Sequence, residues 1–342
     1  MASQAVRDGD VTGEMRAVII TRPGGPEVLE LRSVPAPVPG VHEVLVRVHA
    51  TALNRADLLQ RQGKYPAPPG SPQDIPGMEL AGEVVGHGPD ARRWPVGARV
   101  FGIVGGGAYA ELVAVHEDAL AEIPPGLSWT AAAAVPEAFI TAHDALVTQG
   151  GMHASDMVLI HAVASGVGLA GVQLARAWGA TPYGTTRTAD KLSQARDLGL
   201  ADGIVLTDGL DALEPAVKRW TNGHGIDVTL ELVGGPYFVA SIAAAAHKGR
   251  IILVGTMGGA TADISLGLVM RKRLMIRGTM LRSRSIAEKI DATARFAADV
   301  VPLFATKKIQ PVVDCVMPLD QIAEAHRRME SNQTFGKIVM ML

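Results

Sequence analysis

A single cysteine, Cys315, stands among 342 residues. One thiol excludes a disulfide framework and a cysteine-based zinc site within one chain. Cys315 lies in the run Val312-Val313-Asp314-Cys315-Val316 and reads as a small buried apolar residue; a reducing, cytoplasmic setting fits it. Strong charge of either sign is also missing. The formal net charge of -2 gives no general attraction to nucleic acid or to an anionic membrane surface. The basic cluster Arg271-Lys272-Arg273 is flanked by apolar residues and reads as a solvated strand end. No stretch approaches the ~20 uninterrupted apolar residues of a membrane span. Residues 1–14 are polar, carry both charge signs and lack the apolar segment of a secretory signal, so a disordered extension is expected there. No internal repeat of solenoid length is visible.

What the chain does have is core material: 48% hydrophobic and only 19% charged residues. Its length suits two domains at about 150 residues each. From Met15 to about Ala121 it reads as β-rich. Arg16–Ile20 is a short apolar strand, and Glu43–His49 alternates with period two, which buries one face. Pro- and Gly-rich punctuation at Pro66–Gly70 and Gly86–Pro89 suggests a barrel-like or sandwich module. Ala131–Val147 reads as a helix that Pro136 kinks or breaks. From Met157 onward strand and helix alternate. The strands are expected at Val158–His161, Thr181–Thr185, Gly203–Leu206, Val228–Leu232, Arg250–Val254 and Leu274–Arg277, with helices such as Asp190–Leu198 and Pro236–Ala245 between them. That order implies right-handed crossovers and a parallel, doubly wound α/β sheet. The tail returns to strands, Val312–Val316 and Gly336–Met340, around one amphipathic helix, Leu319–Met329; it is expected to complete the N-terminal module.

The most informative segment is His161-Ala-Val-Ala-Ser-Gly-Val-Gly-Leu-Ala-Gly171, entered by the apolar run Met157–Ile160 and left by a helical pattern. A small-residue turn between strand and helix lets backbone N–H groups approach a pyrophosphate, with the helix N-terminus behind them. Ser165 replaces the second Gly of the strict G-x-G-x-x-G spacing, while Gly166, Val167 and Gly168 complete the turn. An ordinary small-residue turn is the alternative. Sites that prefer NAD place an acid about 20 residues further on, at the end of the second strand, to hold the ribose 2′-OH. Here Thr186 and Arg187 stand there, with Lys191 one turn later. Cations at that point attract a 2′-phosphate, which predicts NADP(H); the alternative is a solvated helix start. Gly255 and Thr256 open a second Gly-rich loop, at the C-terminal end of the strand Arg250–Val254.

Several segments together resemble a known family. Ala52–Tyr65, Ile75–Glu83, Ala133–Thr141, His161–Gly168 and Leu281–Arg284 are similar to zinc-free quinone oxidoreductases of the medium-chain dehydrogenase/reductase superfamily, which include the zeta-crystallin-like enzymes. The turn with Ser165, Tyr65 and the Leu281–Arg284 run looks closest to the stress-inducible ortho-quinone reductase subgroup. The resemblance covers about Met15 to the C-terminus. It implies a Rossmann domain (138–305) inserted in a GroES-like barrel domain (15–137), which residues 306–342 complete, and it implies a homodimer. In zinc alcohol dehydrogenases of the same superfamily the metal needs a cysteine within the segment that here reads Ala52-Leu53-Asn54, and a histidine where Met78 stands, in Gly77-Met78-Glu79; no zinc site is expected here.

The resemblance also implies roles. Asn54 and Asp57 belong to the active-site segment, Asn54 near the nicotinamide or the substrate carbonyl. Tyr65 faces substrate and cofactor. Thr141 and Leu281 lie beside the nicotinamide, Ser165 at the cofactor, and Asn332 at a cofactor-contacting position of the tail. Some relatives carry Arg at the Asn332 position and Tyr at the Thr207 position. Read from the residues alone, Asn54 and Asp57 could instead cap a helix over Arg55–Gln62, Tyr65 could be a packed aromatic, and His161 reads as structural. The expected activity is metal-independent reduction of a quinone by hydride from NADPH. The alternatives are reduction of a 2-enoyl thioester or enone, and a non-enzymatic NADPH-binding role.

Overall fold

The computed structural model describes residues 13–207 and 209–342. Residues 1–12 of the expected extension lie outside the described residues. Its last residue, Glu14, already belongs to a strand. By their contacts the residues fall into two units: one comprises residues up to Glu137, Leu281–Lys307 and Pro311–Leu342, the other Ala138–Met280 and Lys308–Gln310.

In the first unit, β1 (Glu14–Ile20) pairs antiparallel with β2 (Leu29–Pro35). There follow β3 (Glu43–Ala52), α1 (Arg55–Arg61), β4 (Glu79–His87), β5 (Arg99–Ile103), β6 (Leu112–His116), β7 (Leu120–Glu122) and α2 (Trp129–Ala133). α3 (Pro136–His143) starts at the proline, whose missing N–H costs nothing in a first turn. The break expected at Pro136 is therefore a boundary between two helices.

The second unit continues with β8 (Met157–Ile160), α4 (Gly166–Ala177), β9 (Thr181–Thr186), α5 (Ala189–Asp197), β10 (Asp202–Val205) and α6 (Leu213–Trp220). It is completed by β11 (Ile226–Glu231), α7 (Pro236–Ala244), β12 (Ala245–Leu253), α8 (Leu266–Lys272) and β13 (Met275–Gly278). Its sheet has six strands in the order β10-β9-β8-β11-β12-β13, every neighbour parallel. The order reverses at β8, the doubly wound arrangement expected from the alternation. α4 lies close on this sheet because its inner positions are small: a Cβ on Gly171 would meet Leu230 Cδ2 at 2.9 Å. Arg271 and Lys272 close α8 rather than a strand. The Lys272 ammonium donates to the carbonyls of Ile242, Ala243 and Ala245, so this lysine caps the end of α7.

The chain then returns to the first unit with α9 (Ile286–Asp299), α10 (Val301–Ala305), β14 (Val313–Pro318), α11 (Ile322–Glu330) and β15 (Lys337–Met341). The expected second domain ran to 305, but Leu281–Lys307 belongs with the first unit. The reason is burial: α9 sets Phe296, wholly buried, against Phe101 of β5 with ring centres 5.8 Å apart. The tail does supply strands. β14 and β15 extend the path β14-β15-β3-β4-β5-β7, with β6 pairing the first half of β3, Glu43–Arg47, and β15 its end, in a seven-stranded sheet antiparallel throughout except between β14 and β15. α11 buries Ile322, Ala325, His326 and Met329, an i, i+3, i+4, i+7 stripe. Arg61, 1% exposed, ties α1 to α11 by donating to His326 Nδ1 at 3.2 Å and to the Glu330 carboxylate. Burial, with Arg61 beside it, pushes the His326 pKa down to about 3, so the ring accepts as the neutral form.

Candidate functional site

The two units carry the candidate residues separately. In the first, Asn54 stands two residues past β3 and caps α1. Its N–H donates to Asp57 Oδ2 at 2.8 Å, so the capping role read from the residues is real. Asp57 is wholly buried. Its carboxylate also accepts Gly77 N–H at 3.1 Å and Tyr109 OH at 3.1 Å. A carboxylate so enclosed braces the segment through these three hydrogen bonds. Asn54 keeps a small exposure of 7%. Its side chain lies between two buried charges, Glu79 and Lys337, which the sequence reading did not single out.

Tyr65 is half-buried, with the Arg282 guanidinium 5.1 Å from its ring centre. Arg282, 2% exposed, also donates to Gly105 O at 2.8 Å, to Tyr65 O at 3.4 Å and to Gln60 Oε1. Burial raises the Tyr65 pKa while Arg282 opposes the rise, so the phenol is held as a neutral donor. The packed-aromatic and site-facing readings of Tyr65 are thus compatible. Of the other residues in this unit, Leu281 is half-buried. Asn332 follows α11 at φ 59° and accepts from the Arg55 guanidinium.

Asp57 is where the buried chemistry meets stability. Desolvation raises its pKa from 3.8 to about 6, against opposing hydrogen bonds from Asn54 and Gly77 and the charges of Arg282 and Lys337. A folded-state pKa above the unfolded value means the native state binds the proton more tightly. The contribution is therefore present below about pH 4 and is lost as pH rises through about 6, an amount of about 3 kcal/mol. Asp57→Asn removes that titration. The stability of the variant relative to the parent is expected to improve by about that amount between pH 4 and pH 7 in urea melts. A difference between variant and parent that stays flat over this range would show that Asp57 is ionised throughout.

In the second unit the candidates gather at the carboxyl ends of the parallel strands. Ser165 caps α4, its Oγ accepting Gly168 N–H at 3.1 Å, and it is exposed. The first-turn N–H groups of Gly166 and Val167 have no partner within the helix. Gly168 must be glycine, since a Cβ there would lie 2.7 Å from the carbonyl oxygens of both Ala162 and Val163. Arg187 is exposed, one residue past β9, and Lys191 is half-buried in α5. Gly255 and Thr256 follow β12, where Gly259 makes a bridge to Gly234. Thr141 is buried on α3.

Beneath these loops lies a closed polar network. His161 Nδ1 meets Thr185 Oγ1 and its Nε2 meets Ser241 Oγ, both at 2.9 Å. Ser241 donates to Glu231 Oε2 at 2.7 Å, and Glu231 Oε1 accepts Val233 and Gly234 N–H at 2.9 and 3.0 Å. Burial lowers the His161 pKa, opposed by Glu231, so the ring is neutral and structural as expected. The network fixes the turn after β11 next to the Ser165 loop's strand.

Comparison with known proteins agrees with this architecture. Residues 166–316 match the zinc-binding dehydrogenase family and residues 40–125 the alcohol dehydrogenase GroES-like domain. The human quinone oxidoreductase is 31% identical over 340 residues, covering 96% of this chain and 98% of the relative. The chain belongs to the quinone oxidoreductase family of the medium-chain dehydrogenase/reductase superfamily. A quinone oxidoreductase of Pseudomonas aeruginosa is 32% identical, with 93% and 97% of the two chains covered. A mycobacterial structure solved in complex with NADPH is similar with a TM-score of 0.87 at 28% identity, covering 96% of this chain and all of that one. The fold is the α/β combination of a GroES-like domain and a Rossmann-like parallel sheet.

The name of the first matched family raises the question of zinc. The segment Ala52-Leu53-Asn54 and Met78 stand where the resemblance to the superfamily's zinc enzymes would call for a cysteine and a histidine. Cys315 is half-buried beside Asp314 and Arg328, and no group of three or more His, Cys, Asp or Glu able to hold a metal exists among the described residues. These residues do not fit a zinc ion. Among the described residues no helix is long and apolar enough to cross a membrane.

Proposed function

We propose that this oxidoreductase reduces quinones with NADPH and needs no metal for the reaction. The reading is carried by one observation: an exposed Ser165 cap on a long helix, α4, beside an exposed Arg187 at the acid-free end of β9. Helix N-termini bind phosphate through their free N–H groups and dipole, and a guanidinium suits a 2′-phosphate. Ser165, Gly166, Val167 and Gly168 would hold the pyrophosphate, Arg187 and Lys191 the 2′-phosphate. Gly255, Thr256, Thr141, Leu281 and Asn332 are proposed as the remaining cofactor contacts. The reduced nicotinamide supplies hydride when bound. The protein's own residues orient, exclude water and stabilise charge. Asn54 Nδ2 and Tyr65 OH are the donors proposed for the developing negative charge on the substrate oxygen, and Asp57 positions Asn54 through its backbone N–H.

A steady-state series tests this. With NADPH, kcat/KM is expected to be highest for 9,10-phenanthrenequinone, as the ortho-quinone subgroup implies, then 1,4-naphthoquinone, then simple enones and crotonyl thioesters. Highest turnover of the thioesters would assign the chain to enoyl reduction instead. No turnover of any would leave a non-enzymatic NADPH-binding role.

We also propose a homodimer. β13 is an edge strand of the parallel sheet, and Ile276 on it is exposed, as are Leu266 and Met270 of α8, the helix that precedes it in the chain. An apolar sheet edge of this kind pairs readily with a second copy. Light scattering is expected to give twice 35.8 kDa; the monomer mass would refute the pairing.

A further inference from the structure

Asn54 is gripped at both ends of its carboxamide by groups of opposite charge. Lys337 Nζ donates to Asn54 Oδ1 at 2.6 Å, to Glu79 Oε1 at 2.6 Å and to Leu53 O at 2.9 Å, which uses all three ammonium hydrogens. Glu79 Oε1 also accepts Asn54 Nδ2 at 2.8 Å, and Glu79 Oε2 accepts Glu137 N–H at 2.8 Å. Lys337 is 5% exposed and Glu79 not at all.

The chemistry settles which end of the amide is which. An ammonium can only donate and a carboxylate can only accept, so Oδ1 must face Lys337 and Nδ2 must face Glu79. A flip would set the amide oxygen against the carboxylate and the NH2 against the ammonium. One Nδ2 hydrogen is committed to Glu79. The other has only a 3.4 Å contact to Ala52 O, on a residue that retains some exposure. Because the two charges neutralise each other, the amide is held without leaving net charge in the interior.

We infer that the Lys337–Glu79 pair is a positioning device for the reduction: it locks the Asn54 carboxamide so that an N–H, never the carbonyl, is presented to the substrate oxygen. The inference rests on the proposed role of Asn54 as donor. Lys337 and Glu79 touch neither substrate nor reacting atoms; they act through Asn54. Preorganisation of this kind is felt in turnover, because a donor free to flip must be reoriented at the moment charge develops.

The test separates positioning from simple charge balance. The double variant Lys337→Met/Glu79→Gln removes both buried charges together, so it avoids the orphaned charge that either single change leaves. It is expected to keep the parent Tm within a few degrees and KM within about twofold, while kcat falls at least about tenfold. Asn54→Ala is expected to lower kcat by a similar or larger factor, and adding it to the double variant is expected to lower kcat little further, since all three changes disable one donor. If the double variant keeps parental kcat while Asn54→Ala loses it, the pair is only structural and the inference falls while the donor role stands. If Asn54→Ala itself keeps parental kcat, the donor role falls and takes the inference with it. Should the double variant not fold, Lys337→Arg carries the same test. A guanidinium keeps the charge but cannot bring one compact donor to three acceptors, so some loss of Tm is expected, and in variant protein still folded at the assay temperature kcat is expected to drop at least about tenfold with KM within about twofold; parental kcat in that variant would overturn the inference.

Discussion

Arg187→Asp is expected to reverse the cofactor preference, raising KM for NADPH steeply and lowering it for NADH. Arg187 is the first residue beyond β9 and is exposed, and β9 ends on Thr186 with no acid to hold a ribose hydroxyl. Losing a charge-assisted hydrogen bond to a 2′-phosphate costs about 1.5–3 kcal/mol. Placing a carboxylate against the phosphate adds a repulsion, and the same carboxylate can accept from an unphosphorylated ribose. Together the ratio of kcat/KM for NADPH over NADH is expected to fall by about two to three orders of magnitude, at about 1.4 kcal/mol per factor of ten. Arg187→Ala is expected to do less, because Lys191 remains in the next turn and can still attract the phosphate. A parent enzyme that already uses NADH as well as NADPH, or a ratio that moves less than threefold in Arg187→Asp, would remove the 2′-phosphate from this site.

The second large effect concerns the first unit. Gly77→Ala is expected to cost more than about 4 kcal/mol of stability, the range reserved for backbone conflicts. Gly77 sits at φ 101°, where L side chains rarely go. A Cβ there would lie 2.5 Å from Tyr109 Cδ1, 2.6 Å from Tyr109 N and 2.8 Å from Ala108 C. Two of those three atoms are backbone, so no rotamer change relieves the clash. One of the two backbone segments must move, and three hydrogen bonds move with it: Gly77 N–H to Asp57 at 3.1 Å, Ala108 N–H to Gly77 O at 3.1 Å and Tyr109 OH to Asp57 at 3.1 Å. Denaturant melts of the variant, or loss of folded protein on expression, read the effect directly. A loss below about 1 kcal/mol would mean that the backbone at Gly77 and Tyr109 can separate at little cost, and would overturn the prediction.

Much of the architecture can be read from local pattern. The alternation of short β-branched runs with helical stretches identifies the parallel sheet. Pro136 marks a helix boundary because a missing N–H is tolerated only in a first turn. The Leu319–Met329 pattern becomes the buried stripe of α11, with its first residues in a tighter turn, Leu319–Gln321. Errors cluster where the deciding contact is distant. Arg271–Arg273 reads as a strand end until α7 supplies carbonyls for Lys272. The segment Leu281–Lys307 reads as an extension of the sheet domain until Phe296 finds Phe101.

The candidate site divides in the same way. Ser165–Gly168, Arg187 and the Gly255 loop could be picked out as candidates because each is a run of near neighbours at the end of a strand, a short-range arrangement. Glu79 and Lys337 were not, although both stood in plain view, Glu79 directly after the Met that replaces a zinc-ligating histidine. They are 258 positions apart and become partners only when β15 joins the sheet beside β3. Arg282 reaches Gln60 across 222 positions for the same kind of reason.

By itself the sequence determined that the chain alternates strand and helix around a small, glycine-containing turn, and that its single cysteine cannot build a cysteine-based zinc site, because both are properties of residue types and near neighbours. Only the tertiary structure decided that a lysine at one end of the chain would neutralise a buried glutamate far from it and hold an asparagine between them. Burial makes an unpaired charge too costly to leave, and the fold, not the local sequence, chooses the partner.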